Sequence, residues 1–190
     1  MLSEKFGHAL DKPLKEFAGR IPLSPNFITV AGFALTVASS LLLAHNLTLG
    51  AFCLLPAGLF DMLDGIVARS RGESSSFGAF LDSLLDRYSD SVILLAIAWN
   101  LGSTGHMTGV FLSVVALVGS LIVSYVRARA EGLGVSCSNG LMERPERLIL
   151  LFIGAVSGYI VPALWLLAGL THFTVLQRVL HARKQFKMAN

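Results

Sequence analysis

Charged residues are scarce in this sequence of 190 residues. Asp, Glu, Lys and Arg make up 14% of the chain, whereas a soluble domain carries about 25%. Three runs, 21–60, 91–126 and 148–177, contain no charged residue at all. A helix that spans a bilayer needs about 20 apolar residues, so each run has room for two spans joined by a short turn when the flanking helical turns are included. The composition argues against a soluble domain and predicts a multi-span membrane protein.

Cysteine is almost absent as well. The chain has two, Cys53 and Cys137, and they show no metal-binding spacing, which argues against a disulfide-stapled domain. The net charge of +3 could suggest a nucleic-acid partner, but in a membrane protein basic residues more often flank the spans on the cytoplasmic side. We therefore expect no nucleic-acid partner.

The charge-free runs predict an all-α membrane protein with six transmembrane helices. The spans are assigned to 26–45, 49–69, 77–101, 107–129, 143–158 and 162–183. None of the 15 Lys and Arg lies in the joints 46–48, 102–106 and 159–161. The positive-inside rule then puts both termini and the two charged joints on the cytoplasmic side of the cell membrane.

The first 20 residues predict a separate amphipathic helix. Leu2, Phe6, Leu10, Leu14 and Phe17 recur at helical spacing between charged positions, a pattern typical of a helix that lies in the membrane interface. We expect one domain over 1–190, made of this interfacial helix (1–20) and the six-helix bundle (21–190).

Four aspartates stand at the facing ends of the second and third spans. Asp61 and Asp64 end one span, and Asp82 and Asp86 open the next. Spacings of three and four residues put each pair on one helix face, and a short connection makes the two helices antiparallel. Four carboxylates this close need cations among them, and oxygen ligands suit Mg²⁺ or Mn²⁺. A two-metal phosphoryl-transfer site is one interpretation; surface ion pairs with Arg69, Arg71 and Arg87 are the other.

The full pattern resembles a known family. Asp61-x2-Asp64-Gly65-x2-Ala68-Arg69-x8-Gly78-x3-Asp82-x3-Asp86 is similar, without a departure, to the motif of the CDP-alcohol phosphotransferases. The resemblance implies a six-helix membrane enzyme, often a homodimer, in which the four aspartates hold two divalent metals and Asp86 is the catalytic base. It also implies that the CDP-lipid contacts a group of nine residues: Asn26, Phe27, Ile28, Thr29, Gly65, Ala68, Arg69, Ser75 and Gly78.

A second basic region predicts the acceptor. Arg127, Arg129, Arg144 and Arg147 flank the joint between the fourth and fifth spans; they are either positive-inside flanking charges or a pocket for a phosphate, which guanidinium groups grip in two places. SYVRARAEGLG and ERPERLIL resemble segments of phosphatidylinositol-phosphate synthases and their archaeal counterparts. The resemblance implies a CDP-diacylglycerol or CDP-archaeol donor, L-myo-inositol 1-phosphate as acceptor, and a phosphate pocket at Arg127, Arg144, Arg147 and Arg183.

The residues are also compatible with other functions. The same chemistry with glycerol 3-phosphate, or with serine, changes only the acceptor, and a phosphorylated acceptor explains the arginines better than serine does. Intramembrane prenyltransferases also pair aspartate motifs around Mg²⁺, but on more helices and in two separate motifs. A small cation transporter would need its acids near the bilayer midplane, whereas these lie close to the cytoplasmic charges.

Overall fold

The computed structural model describes residues 22–137 and 139–189, and these form six α-helices and no strand. The helices are α1 (Pro25–Leu43), α2 (Leu47–Arg71), α3 (Ser76–Ser103), α4 (Met107–Glu131), α5 (Arg144–Ser157) and α6 (Ile160–Ala189). The all-α prediction is confirmed for the described residues. Helix ends lie within two residues of the predicted spans, except that α6 continues six residues further. The predicted interfacial helix, 1–20, lies outside the described residues.

Polar caps fix the helix boundaries near the aspartates. The Ser24 hydroxyl accepts a hydrogen bond from the Phe27 amide at 3.3 Å at the start of α1. The Ser75 hydroxyl accepts one from the Gly78 amide at 3.0 Å at the start of α3, so both helices have a standard N-cap. Gly72, with φ of 65°, ends α2 in the left-handed conformation that suits glycine. The connection between α2 and α3 is therefore short, residues 72–75.

The surface of the bundle is apolar where a soluble protein would be polar. Leu41, Trp99 and Phe111 are each about two-thirds exposed, and a water-soluble monomer seldom tolerates so much apolar surface. Inside, hydroxyl groups bond to carbonyls of their own helices, as Thr171 does to Leu167 at 2.8 Å. Internal pairing of polar groups with an apolar exterior is typical of an integral membrane protein.

Four of the six helices are long and apolar enough to cross a membrane, namely α1, α2, α4 and α6. Helix α3 is long, but Asp82, Asp86, Arg87 and Asp90 make its first half too polar. Helix α5 has 14 residues, about 21 Å at 1.5 Å per residue, which is short for a hydrocarbon core of about 30 Å. Four helices thus have the length and apolar composition of a membrane span, whereas α3 and α5 carry several of the polar residues of the site.

Helix packing brings the aspartates and arginines to one end of the bundle. Helix α1 packs against α2 and α3, α4 against α3 and α6, and α5 against α2 and α6. The main apolar core includes Ile97, Leu112, Leu164 and Leu167. A smaller cluster of Ile28, Ile66 and Val67 joins α1 to α2 beside the aspartates. The polar ends of α2, α3 and α5 therefore meet at one end of the bundle, next to its apolar core.

Close packing at the α1–α2 turn depends on Gly50. A Cβ on Gly50 would lie 2.6 Å from the Leu43 Cα, whereas a Cβ on Gly58 of the same helix would have no neighbour within 4 Å. We expect Gly50→Ala to destabilise the protein by about 1–3 kcal/mol, because the turn must shift. Gly58→Ala is the matched control, and alanine is the better helix former by about 1 kcal/mol. Melting temperatures in detergent measure both; equal values for the two variants would contradict this packing account.

Candidate active site

Three aspartates converge between α2 and α3. Asp61, Asp82 and Asp86 each offer a carboxylate oxygen, and these three oxygens lie within 4.8 Å of one another. Asp82 and Asp86 are one turn apart on α3, and Asp61 faces them from α2. An all-oxygen donor set of this kind fits a hard divalent cation such as Mg²⁺ or Mn²⁺.

Asp64 lies beside this cluster rather than in it. It is buried, and its Oδ1 accepts a hydrogen bond from the Gly65 amide. Its Oδ2 is buried without a hydrogen-bond partner among the described residues, which is costly for a carboxylate unless a cation or a ligand donor reaches it. This unpaired oxygen is a second indication that the aspartates fit a metal.

Arg144, at the start of α5, is the cationic partner of the cluster. Its Nη1 contacts the Oδ1 of Asp61 and lies 2.6 Å from the Oδ1 of Asp86. The alternative interpretation of the sequence assigned this role to Arg69, Arg71 and Arg87. Arg87 instead donates to the Ser83 hydroxyl at 2.6 Å, and Arg71 pairs with Glu73 at 2.6 Å. The acids thus form part of a polar centre built from three helices.

A cavity of about 200 Å³ opens on one side of the cluster, between α1, α2 and the start of α3. We call it the serine-lined cavity, because Ser74 and Ser75 line it together with Asp64 and Asp82. It contains seven of the nine residues predicted to contact the CDP-lipid: Asn26, Thr29, Gly65, Ala68, Arg69, Ser75 and Gly78. Phe27 is exposed at 56%, and Ile28 is buried in the small apolar cluster. Neither of these two lines the cavity.

Glycines keep the serine-lined cavity open. A Cβ on Gly78 would lie 3.1 Å from both the Asn26 Oδ1 and the Ser75 Oγ, and a Cβ on Gly65 would lie 3.2 Å from the Arg69 Nη1. Side chains at these positions would crowd the polar atoms that face the cavity. Glycine therefore lets a ligand approach the backbone of α2 and α3.

A larger cavity of about 550 Å³ opens on the other side of the cluster. We call it the arginine-lined cavity, because five arginines line it: Arg87, Arg127, Arg144, Arg147 and Arg178. Asp82 lines both cavities, so the aspartate cluster stands between them. Arg183 was predicted to join this group, but it lines a separate groove between α4 and α6.

Two residues of the arginine-lined cavity were missed by the sequence analysis. Arg178 is buried in α6 and donates to the carbonyls of Asn139 (2.8 Å) and Val123 (2.7 Å). Asp90 is buried in α3 and accepts a hydrogen bond from Arg147 at 2.7 Å. Both residues border a charge-free run, and a charge at the edge of an apolar helix is expensive without a partner. That position is the signal that could have identified them.

Comparison with known proteins identifies relatives along most of the chain. A sequence model of CDP-alcohol phosphatidyltransferase matches residues 22–182. Archaetidylinositol phosphate synthase of Methanothermobacter thermautotrophicus is 39% identical over 190 residues, covering 96% of this chain and 95% of the relative. Phosphatidylinositol phosphate synthase of Corynebacterium glutamicum is 38% identical over 183 residues, covering 91% of this chain and 84% of the relative.

Solved structures agree with the fold. Mycobacterium tuberculosis phosphatidylinositol phosphate synthase with CDP-DAG bound has a TM-score of 0.81 and 33% identity, covering 92% of this chain and 94% of that one. The same enzyme in complex with manganese and citrate has a TM-score of 0.80 and 33% identity, covering 90% of this chain and 88% of that one.

Proposed function

Because the chain belongs to the CDP-alcohol phosphatidyltransferase family, it is an enzyme, and we propose that it makes phosphatidylinositol phosphate. It would transfer the phosphatidyl group of CDP-diacylglycerol to a hydroxyl of L-myo-inositol 1-phosphate and release CMP. Membership of this family decides against the prenyltransferase and the cation transporter. The observation that carries the proposal is that one aspartate cluster separates a glycine- and serine-rich cavity from a cavity lined by five arginines.

The serine-lined cavity suits the CDP part of the donor. Arg69 offers a guanidinium for the pyrophosphate, and Gly65 and Gly78 leave the backbone accessible. Asn26, Thr29 and Ser75 supply polar groups for the rest of the nucleotide. The structure of the M. tuberculosis enzyme with CDP-DAG bound supports this class of donor.

Asp61, Asp64, Asp82 and Asp86 would hold two Mg²⁺ ions, with Mn²⁺ as a substitute. Such ions supply charge neutralisation for the pyrophosphate and for the departing CMP. The manganese complex of the M. tuberculosis enzyme supports a divalent metal in this chain. The unpaired Oδ2 of Asp64 and the three converging oxygens support the choice of ligands.

Asp86 is the proposed general base. It lines the arginine-lined cavity beside Asp82, which lines both cavities. In the reaction, Asp86 takes the proton of the inositol hydroxyl, the hydroxyl oxygen bonds to the phosphorus nearest the lipid, and the bond from that phosphorus to the oxygen of CMP breaks. General-base catalysis contributes typically 10²–10⁴-fold.

The arginine-lined cavity suits a phosphorylated acceptor. Arg127, Arg147 and Arg178 line it, whereas Arg144 pairs with Asp61 and Asp86 of the aspartate cluster. Guanidinium groups bind phosphate with paired hydrogen bonds, so the acceptor's phosphate is proposed to lie among the first three. Arg178 thereby takes the position that the sequence analysis assigned to Arg183.

The distribution of charge supports an orientation in the cell membrane. With both termini and the aspartate cluster on the cytoplasmic side, the water-soluble substrates reach the site from the cytoplasm. A homodimer follows from the family resemblance, and crosslinking in native membranes tests it. A crosslinked dimer is expected; monomer alone would contradict that part of the proposal.

The identity of the acceptor is tested by offering candidate substrates one at a time. Purified enzyme with CDP-diacylglycerol is offered inositol 1-phosphate, glycerol 3-phosphate or serine in turn, and the product lipid is identified by mass spectrometry. We expect phosphatidylinositol phosphate, with CMP release that depends on inositol phosphate. A phosphatidylglycerophosphate product at a higher rate would assign the enzyme to glycerol 3-phosphate, and a parallel reaction with CDP-archaeol tests the lipid.

A further inference from the structure

Asp90 is an aspartate that the family motif does not include. It lies one turn beyond Asp86 on α3 and is only 7% exposed. Its Oδ2 accepts a hydrogen bond from the Arg147 Nη2 at 2.7 Å, and its Oδ1 lies 3.9 Å from the Arg144 Nε. One carboxylate therefore touches two arginines of the arginine-lined cavity.

Stability alone is a weak reason for this buried pair. Taking two charges out of water costs about as much free energy as their attraction returns, so apolar residues would serve the core as well. Arg147 is 4% exposed, and its Nη1 donates to the Met142 carbonyl at 3.3 Å. A side chain held at two of its nitrogen atoms in this way has little freedom to rotate.

The third nitrogen of the Arg147 side chain, Nε, is evidence for a ligand. Its Nε is buried and has no hydrogen-bond partner within the described part of the chain, although Arg147 lines the arginine-lined cavity. A buried donor without a partner costs about 1–3 kcal/mol. A phosphate oxygen in the cavity would satisfy it.

We propose that Asp90 is a positioning residue that fixes the Arg147 guanidinium in the orientation in which it binds the acceptor's phosphate. The inference rests on the proposed function, because it takes the arginine-lined cavity as the acceptor site. Glu143 and Asp86 also line this cavity, and a guanidinium released from Asp90 is free to turn towards them. Asp90 keeps Arg147 available to the substrate and keeps Asp86 free of a second arginine.

If Asp90 had only an electrostatic role, its substitution would change the affinity for phosphate in the opposite direction. If its charge only offset that of Arg147, its removal would increase the positive potential and tighten anion binding. A positioning role predicts weaker binding instead, because the oriented donors are lost. Asn retains a carbonyl oxygen that can accept the Nη2 hydrogen bond, so Asp90→Asn should be affected less than Asp90→Ala.

Binding of inorganic phosphate to the purified protein tests this directly. Calorimetry on wild type, Asp90→Asn and Asp90→Ala should show weaker binding in both variants, at least about tenfold in Asp90→Ala, which corresponds to about 1.4 kcal/mol. Ser91→Ala is the control, because Ser91 is the next residue of α3 and its hydroxyl donates a hydrogen bond to the Arg87 carbonyl of the same helix. Unchanged or tighter binding in Asp90→Asn would overturn the inference even if Asp90→Ala failed to fold.

Kinetics supply the second readout. In both variants the KM for inositol phosphate should rise while the KM for CDP-diacylglycerol stays within about twofold, a difference that uniform loss of folded enzyme would not produce. Equal changes in the two KM values would overturn the positioning role. If phosphate binding depends on Asp90 but inositol phosphate is not a substrate, the acceptor assignment fails and the inference about Arg147 stands. Wild type that binds no phosphate would overturn the inference itself.

Discussion

Asp86→Asn should stop CMP release while leaving CDP-lipid binding almost unchanged. Asn matches Asp in size and keeps one oxygen towards Asp61 and Asp82, so the shape of the cluster is retained. It cannot take a proton from the acceptor hydroxyl, and the loss of a general base lowers kcat by typically 10²–10⁴-fold. The serine-lined cavity, which Asp86 does not line, should still hold the nucleotide.

Two measurements on the same preparation separate these effects. The rate of CMP release gives kcat, and equilibrium binding of CDP-diacylglycerol in detergent gives the donor affinity. Ser91→Ala, five residues further along α3, controls for the effect of substituting a polar residue on this helix. Turnover of Asp86→Asn within about tenfold of wild type, below the usual contribution of a general base, would remove Asp86 as the base.

Arg147→Ala should raise the KM for inositol phosphate by about 100-fold or more. The substitution removes a charge-assisted contact to the phosphate, and it leaves Asp90 with Arg144 as its remaining cationic neighbour, 3.9 Å away. The KM for CDP-diacylglycerol should change little, because Arg147 lines only the arginine-lined cavity.

Arg183→Ala is the matched control, since the two arginines differ in position rather than in chemistry. Arg183 lines the groove between α4 and α6, so its removal should leave the acceptor KM within about twofold of wild type. A large rise in the acceptor KM for Arg183→Ala would favour the sequence-based pocket over the one in the structure. An equal rise in both KM values for Arg147→Ala would argue against an acceptor pocket at Arg147.

The aspartate cluster could be predicted because its members are close in sequence. Asp61 lies ten residues before the end of α2, and Asp82 lies six residues after the start of α3. The short connection between the two helices therefore brings both residues to the same end of the bundle. The helices were also predictable, because charge-free runs and basic flanks are local features. For α5, the sequence indicated a full span, and the structure has a 14-residue helix with Arg144 and Arg147 in its first turn.

The partners of the arginines could not be predicted. Asp61 and Arg144 are 83 positions apart, and Asp90 and Arg147 are 57 apart. The packing of α5 against α2 and α6 places the two arginines beside these aspartates. The choice between Arg178 and Arg183 depends on helix rotation. Five residues on α6 turn the direction of a side chain by about 140° at 3.6 residues per turn, so the two arginines face different cavities.

Helix rotation also separates the residues predicted to contact the CDP-lipid. Asn26 and Thr29 are three positions apart and share one face of α1, so both line the serine-lined cavity. Phe27 and Ile28 lie between them and point about 100° and 200° away from Asn26, one to the exterior and one into the apolar cluster. A prediction that takes 26–29 as one continuous segment includes Phe27 and Ile28. Only the helix geometry shows that these two residues point away from the cavity.

The central claim is that aspartates of α2 and α3 hold the divalent ions on which transfer depends. The direct measurement is the rate of CMP release from CDP-diacylglycerol by metal-stripped enzyme, before and after Mg²⁺ or Mn²⁺ is added, with inositol phosphate present throughout. We predict no release from the stripped enzyme, restoration by either ion, and no restoration in Asp61→Asn. Full activity of the stripped enzyme, or an equal response to metal in Asp61→Asn, would contradict the account.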